Sequence, residues 1–276
     1  MATATMGKIG DPVAAKGVVE QRFDTACEGR TVPAILWRPE AIEGATPLVL
    51  LGHGGTLHKR ADYILAVARW LAGRHGIASV AIDGPVHGDR RPTGSTPEKM
   101  FDDFVQAWKR PETVDETIRD FQAALGAVES ELTVGTVGYF GFSMGTMMGV
   151  PLVAAEPRIS AAVLGLMGPW GSIADRLRQD APRVTCPVRF LMQWDDELIA
   201  RELCFELFRQ PRQQRQASPR SPRPPPRRSR QRNARSARLA GGTPQLIRRT
   251  GPDDRREALR QATTQWPRSD PAISGG

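Results

Sequence analysis

The sequence has little histidine: four residues among 276, and none after His87. Its three cysteines show no CxxC spacing, which argues against a disulfide framework or a zinc site. No run approaches 18 apolar residues and no signal peptide is visible, so neither a membrane span nor secretion is expected. The glycine loops lack the GxxxxGK[ST] and GxGxxG patterns of nucleotide-binding proteins. These absences predict a cytoplasmic protein without a metal or other cofactor.

The charge is unevenly distributed along the chain. Residues 209–276 contain 17 arginines, no lysine and 4 acidic residues, whereas residues 1–208 contain 21 basic and 26 acidic residues. Residues 209–238 are mostly Arg, Pro, Gln and Ser, and such a composition cannot bury enough apolar surface to offset its ordering entropy. We therefore expect a flexible N-terminus over 1–16, a globular domain over 17–208 and a disordered basic tail over 209–276.

Residues 17–208 alternate between short apolar runs and segments with helical periodicity. The alternation predicts an α/β fold with a mostly parallel, doubly wound sheet. At the start of this domain, a polar turn between Gly17–Phe23 and Arg30–Trp37 predicts an antiparallel hairpin. The other predicted strands are Pro47–Leu51, Ile77–Ile82, Thr136–Phe142, Ile159–Met167 and Pro187–Met192, and the predicted helices are Ala61–Gly73, Thr113–Leu132, Met144–Ala155, Ile173–Arg178 and Glu197–Phe208.

The pentapeptide 141–145, Gly-Phe-Ser-Met-Gly, matches the GxSxG nucleophile motif. A predicted buried strand precedes it and a predicted helix follows, which is the context in which a serine is held on a tight turn with its hydroxyl exposed. The two glycines leave room for that turn. The pattern favours Ser143 as a nucleophile over a plain structural turn, with the N–H of Met144 directed at a developing oxyanion.

Residues 51–56, Leu-Gly-His-Gly-Gly-Thr, follow the strand that ends at Leu51. With the pentapeptide, they make residues 17–208 resemble the α/β-hydrolase family, in particular its dienelactone-hydrolase-like esterases. The resemblance implies an α/β-hydrolase fold and a second oxyanion N–H from Gly55. The alternative for these glycines is a plain turn between strand and helix. The order of oxyanion loop, nucleophile and acid favours the functional interpretation.

The expected acid lies in the segment 193–199, Gln-Trp-Asp-Asp-Glu-Leu-Ile. The family places its acid three residues before a small aliphatic residue, which points to Asp196 paired with Ile199. Asp195 is the second candidate. One of the two could instead cap the following helix, and this is compatible with the other serving as the acid.

Two histidines have a family-level reason to lie near Ser143. His53 lies in the oxyanion loop, and His87 lies in the loop after the strand that ends at Ile82. For His87 we favour a hydrogen bond within its own loop over the role of a substitute general base. An apolar stripe over residues 100–108 is expected to pack in the core, and a lid over an acyl pocket is the alternative.

The family's catalytic histidine should follow the acid, where this chain has its Arg/Pro-rich tail. Three explanations compete: a true basic arm that binds a polyanion, a non-catalytic relative, and a reading frame shifted near Phe208. Reading one base forward from Arg209 permits a histidine at the codon of Pro225. We favour the shifted frame, in which the C-terminal strand and helix are missing.

The expected function is hydrolysis of a carboxylic ester or lactone by a serine mechanism that is impaired because the histidine is absent. The alternative is a non-catalytic protein that binds nucleic acid or another polyanion through its tail. We expect a small-molecule substrate, with nucleic acid a less favoured partner and no membrane partner. The sequence does not indicate the oligomeric state.

Overall fold

The computed structural model describes residues 4–209 and forms one eight-stranded sheet with helices on both faces. The strands are β1 Gly7–Ala15, β2 Val18–Cys27, β3 Arg30–Pro39, β4 Thr46–Gly52, β5 Ala78–Ile82, β6 Val134–Gly141, β7 Ile159–Gly165 and β8 Val188–Leu191. The helices are α1 Asp62–His75, α2 Met100–Lys109, α3 Thr113–Glu129, α4 Met144–Ala155, α5 Ala174–Asp180 and α6 Arg201–Arg209.

The sheet order is β1-β2-β3-β5-β4-β6-β7-β8. Strands β1, β2 and β3 pair antiparallel, and β3 also pairs antiparallel with β5. The remaining neighbours in the sheet are parallel, so β5, β4, β6, β7 and β8 form a parallel block of five strands. The predicted α/β class with a mostly parallel sheet and an opening hairpin is confirmed. The predicted loss of a last strand and helix concerns residues 210–276 and lies outside the described residues. Within residues 4–209, β8 has a strand partner only on the β7 side.

Two apolar layers hold the sheet between its helices. Strands β4 and β5 consist almost entirely of buried residues, as expected for parallel strands covered on both faces. Helix α1 packs on one face through Ile64, Ala68 and Leu71. Helices α2 to α6 contribute to the core on the opposite face. None of the helices within residues 4–209 is long and apolar enough to cross a membrane.

The N-terminus differs from the expectation of a flexible segment over residues 1–16. Residues 7–15 form β1, which pairs with β2, although every residue of β1 is exposed. Backbone hydrogen bonds to β2 hold β1, and no apolar face does. A strand of this kind leaves no alternation in the sequence, and Gly10 and Pro12 conceal it further.

Helix α6 begins at Arg201, four residues later than the predicted helix 197–208. The side chain of Asp196 explains the delay. Its Oδ1 accepts hydrogen bonds from the N–H groups of Leu198 and Ile199, at 2.9 and 3.0 Å, which holds these residues in a turn.

Candidate active site

Ser143 occupies the sharp turn between β6 and α4. It has φ 54° and ψ −118°, a conformation that residues with a Cβ rarely adopt and that costs about 1–3 kcal/mol. Its N–H donates to the carbonyl of Gly165 on the neighbouring strand, at 3.0 Å. The side chain is half-buried, and no group within residues 4–209 forms a hydrogen bond to its hydroxyl. The strained backbone at this strand-to-helix turn thus presents an unpaired hydroxyl, as the GxSxG pattern predicts.

The glycines of the turn are required by close backbone packing. A Cβ on Gly145 would collide with the carbonyl oxygen of Gly52 on β4. A Cβ on Gly141 would lie 2.6 Å from the carbonyl oxygen of Gly145. Helix α4 therefore begins against the carboxyl ends of β4 and β6, which brings Ser143 beside the loop that follows β4.

Two hydroxyl groups outside the motif hold the turn. The hydroxyl of Tyr139 donates to the carbonyl of Gly145 at 2.5 Å. Thr146 Oγ1 donates to the carbonyl of Gly165 at 2.6 Å and accepts from the N–H of the same residue at 2.8 Å. Neither residue is predictable from the sequence, because neither belongs to the pentapeptide's signature and their partners are known only from the fold.

Residues 53–56, here called the oxyanion loop, follow β4. The N–H of Gly54 donates to the Tyr63 hydroxyl at 2.7 Å, and the N–H of Thr56 donates to Nε2 of His87 at 3.0 Å. Between them, the N–H of Gly55 has no acceptor in the described part of the chain. The N–H of Met144 is the first amide of α4, a position without an intrahelical acceptor. These are the two amides that the sequence predicts to stabilise an oxyanion.

His53 and His87 both use their two ring nitrogens in hydrogen bonds. His53 Nε2 accepts from the N–H of Gly84 at 2.9 Å, and its Nδ1 lies 2.8 Å from the carbonyl of Gly54. The Nδ1 of His87 lies 2.7 Å from the carbonyl of Pro85. Burial lowers the pKa of His53 to about 4 and also lowers the pKa of His87. Neither ring has a nitrogen free to take a proton from Ser143, which favours the structural interpretation of His87.

A buried ion pair anchors the start of α1 to the loop after β5. The Asp83 carboxylate is fully buried and accepts from Lys59 Nζ at 2.6 Å, from the N–H of Lys59 at 2.8 Å and from the N–H of Asp89 at 2.8 Å. Lys59 Nζ also lies 2.6 Å from the Asp89 carboxylate. Nothing in the sequence predicts this ion pair, since lysine and aspartate are usually solvated.

The two candidate acids differ in burial and in the hydrogen bonds that hold their side chains. Asp196 is half-buried, its Oδ1 holds the turn described above, and its Oδ2 has no partner among residues 4–209. The side chain of Asp195 is 91% exposed and lies 3.9 Å from the guanidinium of Arg201. Asp196 does not cap α6, which begins five residues later. This geometry favours Asp196 over Asp195 as the candidate acid, because one of its oxygens is fixed by backbone N–H groups and the other is available to a partner.

The sheet places the candidate oxyanion, nucleophile and acid residues at the carboxyl ends of its parallel strands. Gly55, Ser143 and Asp196 follow the carboxyl ends of β4, β6 and β8, and β4 and β6 are neighbours. Only β7 separates β6 from β8. The described chain supplies no histidine after the acid. It also contains no group of three or more His, Cys, Asp or Glu residues that could hold a metal ion.

Comparison with known proteins gives matches among solved structures. The chain is 43% identical to a cold-adapted esterase from an Arctic intertidal metagenomic library, with 75% of this chain and 85% of that chain covered and a TM-score of 0.67. A putative dienelactone hydrolase from Klebsiella pneumoniae is 20% identical, with 70% and 79% covered and a TM-score of 0.56. An acetyl xylan esterase from Paenibacillus sp. R4 is 15% identical, with 76% and 79% covered and a TM-score of 0.57. The last two show a common fold alone. No protein-family model and no curated protein matches the chain.

Proposed function

Because the chain belongs to the α/β-hydrolase family of esterases, we propose that it is a dienelactone-hydrolase-like serine hydrolase of carboxylic esters or lactones that lacks its general base. The conformation of Ser143 carries this proposal. A positive φ at a non-glycine residue costs free energy. The nucleophile role accounts for this strain, because a tight turn that presents a hydroxyl at the N-terminus of a helix requires such a conformation.

In the proposed reaction, Ser143 Oγ attacks the carbonyl carbon of the ester, and the N–H groups of Gly55 and Met144 stabilise the oxyanion. A histidine oriented by Asp196 would take the serine proton and return it to the departing alkoxide. The same base would then activate water to release the acid from the acyl-enzyme. Since His53 and His87 have no free nitrogen, we propose that this chain keeps only the modest catalysis of the oxyanion hole and substrate binding.

We also propose that the reading frame is shifted near Phe208, so that the strand, histidine loop and helix which should follow are replaced. Two features support this. Strand β8 has an unpaired outer edge within the described residues, and an apolar cavity of 150 Å³ opens on the α1 face beside it, lined in part by Val67, Leu71, Phe142 and Leu191. A further strand and helix would cover both, so reduced solubility is expected without them. Sequencing the gene across codons 200–230 tests this proposal. An intact frame, with mass spectrometry of the native C-terminus in agreement, would overturn it.

Fluorophosphonate labelling and hydrolysis of a p-nitrophenyl ester test the proposed activity. Three proteins are compared: the unaltered chain, a chain with the frame restored after Phe208, and the frame-restored chain with Ser143→Ala. We expect labelling and turnover only in the frame-restored chain that keeps Ser143. Labelling of the unaltered chain at a rate typical of active esterases would contradict the impairment. A frame-restored chain that folds but is not labelled would contradict the serine mechanism.

The arginine content of residues 209–238 supports a second candidate function, the binding of a polyanion. These residues lie outside the described part of the chain. The candidate predicts salt-sensitive binding of DNA or RNA in a gel shift that disappears on truncation after Phe208. Binding that survives the truncation, or no binding at low salt, would reject this candidate.

A further inference from the structure

Two loops beside Ser143 are joined by a reciprocal pair of histidine hydrogen bonds. His53, in the oxyanion loop, accepts the N–H of Gly84 in the loop after β5, at 2.9 Å. His87, in that second loop, accepts the N–H of Thr56 in the oxyanion loop, at 3.0 Å. The ring centroids are 5.2 Å apart. Each loop thus provides the acceptor for one amide of the other.

The partners fix the protonation state of both rings. In each ring Nε2 accepts a backbone N–H, so Nε2 carries no proton, and Nδ1 faces a carbonyl oxygen at 2.7 or 2.8 Å, so Nδ1 carries the proton. The charged groups near His87 are Asp83, which favours the imidazolium, and Arg91, which opposes it; the ring of Phe104 packs at its edge. His53 faces Asp83, His87 and His58. Burial outweighs the carboxylate and keeps both rings neutral.

The hydrogen bond from the Thr56 N–H to His87 stabilises a residue whose backbone conformation is strained. Thr56 has φ 61°, which is unusual for a β-branched residue and costs free energy. Its side chain gives no long-range anchor, because the hydroxyl donates to the carbonyl of Gly55 at 2.7 Å. Gly55 itself has no Cβ and no partner for its N–H among the described residues. Its orientation is therefore determined by the Tyr63 contact at Gly54 on one side and the His87 contact at Thr56 on the other.

We propose that His53 and His87 are positioning residues: as neutral Nδ1–H tautomers they hold the oxyanion loop against the second loop, so that the Gly55 N–H is directed at the reaction site. Neither histidine touches substrate, and neither takes the proton of Ser143. The catalytic meaning of this arrangement rests on the proposed function, whereas the histidine contacts do not depend on it.

Amide exchange measures the contacts without any need for activity. In the full chain, His87→Phe keeps a ring of similar size beside Phe104 but removes the acceptor for the Thr56 N–H, whereas His87→Gln keeps an acceptor oxygen near the position of Nε2. We expect the Thr56 amide to exchange about tenfold faster in His87→Phe, with much of the protection regained in His87→Gln. His75→Phe, on α1 and outside both loops, is the matched control and should leave Thr56 unchanged.

Three outcomes of these measurements would overturn the proposal. One is unchanged Thr56 exchange in His87→Phe, and another is an equal acceleration at buried amides such as that of Leu50, which would indicate global destabilisation. The third is an imidazole nitrogen spectrum at neutral pH in which His53 or His87 carries its proton on Nε2. Each outcome is independent of Ser143 chemistry, so it is distinguishable from a failure of the proposed function.

The frame-restored chain provides the catalytic readout. There, His87→Phe should lower kcat about tenfold or more with little change in KM, because an oxyanion contact acts mainly in the transition state. Partial rescue of kcat by His87→Gln is expected, since the acceptor for Thr56 returns. If kcat is unchanged while Thr56 exchange rises, the histidine bond does not position the oxyanion loop for catalysis.

Discussion

The hydroxyl of Tyr139 donates a 2.5 Å hydrogen bond to the carbonyl oxygen of Gly145, and the same phenol ring occupies the space that a side chain on Gly52 or Gly149 would need. Tyr139 is fully buried on β6, between β4 and the first turns of α4. The serine turn is therefore held by a side chain four residues before Ser143. The local motif alone does not specify the turn's position against the sheet.

Replacing Tyr139 with phenylalanine should lower the free energy of unfolding by about 1–3 kcal/mol, because the buried carbonyl of Gly145 loses a hydrogen-bond donor while the ring packing is kept. Urea denaturation followed by circular dichroism measures the change. An unchanged unfolding midpoint would show that the hydroxyl contributes nothing net to the turn.

Alanine at Gly145 should destabilise the protein by about 3 kcal/mol or more, since its Cβ would meet the backbone oxygen of Gly52, which cannot move aside as a flexible side chain could. Gly135→Ala, at the exposed start of β6, is the matched control. A Cβ there has only ordinary contacts of 3.6 Å or more, so the change should lie within about 0.5 kcal/mol. Similar unfolding midpoints for the two variants would contradict the packing argument.

The sequence predicted the features that depend on local pattern. The buried strands, the helix after Ser143 and the alternation of strand and helix are visible in hydrophobic periodicity, and the turn is visible in its two glycines. The pairing of His53 with Gly84 and of His87 with Thr56 was not predictable, because each bond joins residues 31 positions apart. Strand β1 left no signal, since backbone hydrogen bonds hold it and no buried face does.

Ser143→Gly should stabilise the protein by about 1 kcal/mol, because glycine adopts a positive φ without the penalty that a Cβ imposes. For a chain of this size that corresponds to a rise in Tm of about 2–4 °C. Ser143→Ala, which keeps the Cβ, should leave Tm nearly unchanged. Scanning calorimetry compares the two variants, and equal Tm values would indicate that the turn is not strained.

Lys59→Met should cost about 3–5 kcal/mol, since it leaves the fully buried carboxylate of Asp83 without its cation. Lys8→Met provides the comparison. Lys8 Nζ lies 2.6 Å from the Glu131 carboxylate, and the two side chains are 51% and 36% exposed. Exposed pairs contribute about 0–1 kcal/mol. Urea unfolding of both variants gives the contrast. A loss in Lys59→Met no larger than in Lys8→Met would mean that Asp83 is stabilised by its backbone N–H donors alone.

The two loop histidines should make stability fall as the solution is acidified from pH 6.5 to about 4. In the unfolded chain a histidine takes a proton near pH 6.5, whereas in the folded protein burial lowers the pKa of His53 to about 4 and lowers that of His87 as well. The unfolded state therefore binds more protons throughout this window. For His53 the loss is about 3 kcal/mol, and the stabilisation is fully present above pH 6.5.

Carboxylates add little to this loss above pH 4.5. Hydrogen bonds from Lys59 and Arg158 keep the pKa values of Asp89 and Glu156 below their ordinary values, so these groups lose their stabilising effect only at lower pH. Urea midpoints at pH 7.5, 6.5, 5.5 and 4.5 should therefore fall steeply between 6.5 and 4.5. In His53→Gln the whole curve should lie lower but be flatter in this window, because one titrating group is gone. An equally steep curve in His53→Gln would assign the pH dependence to other groups.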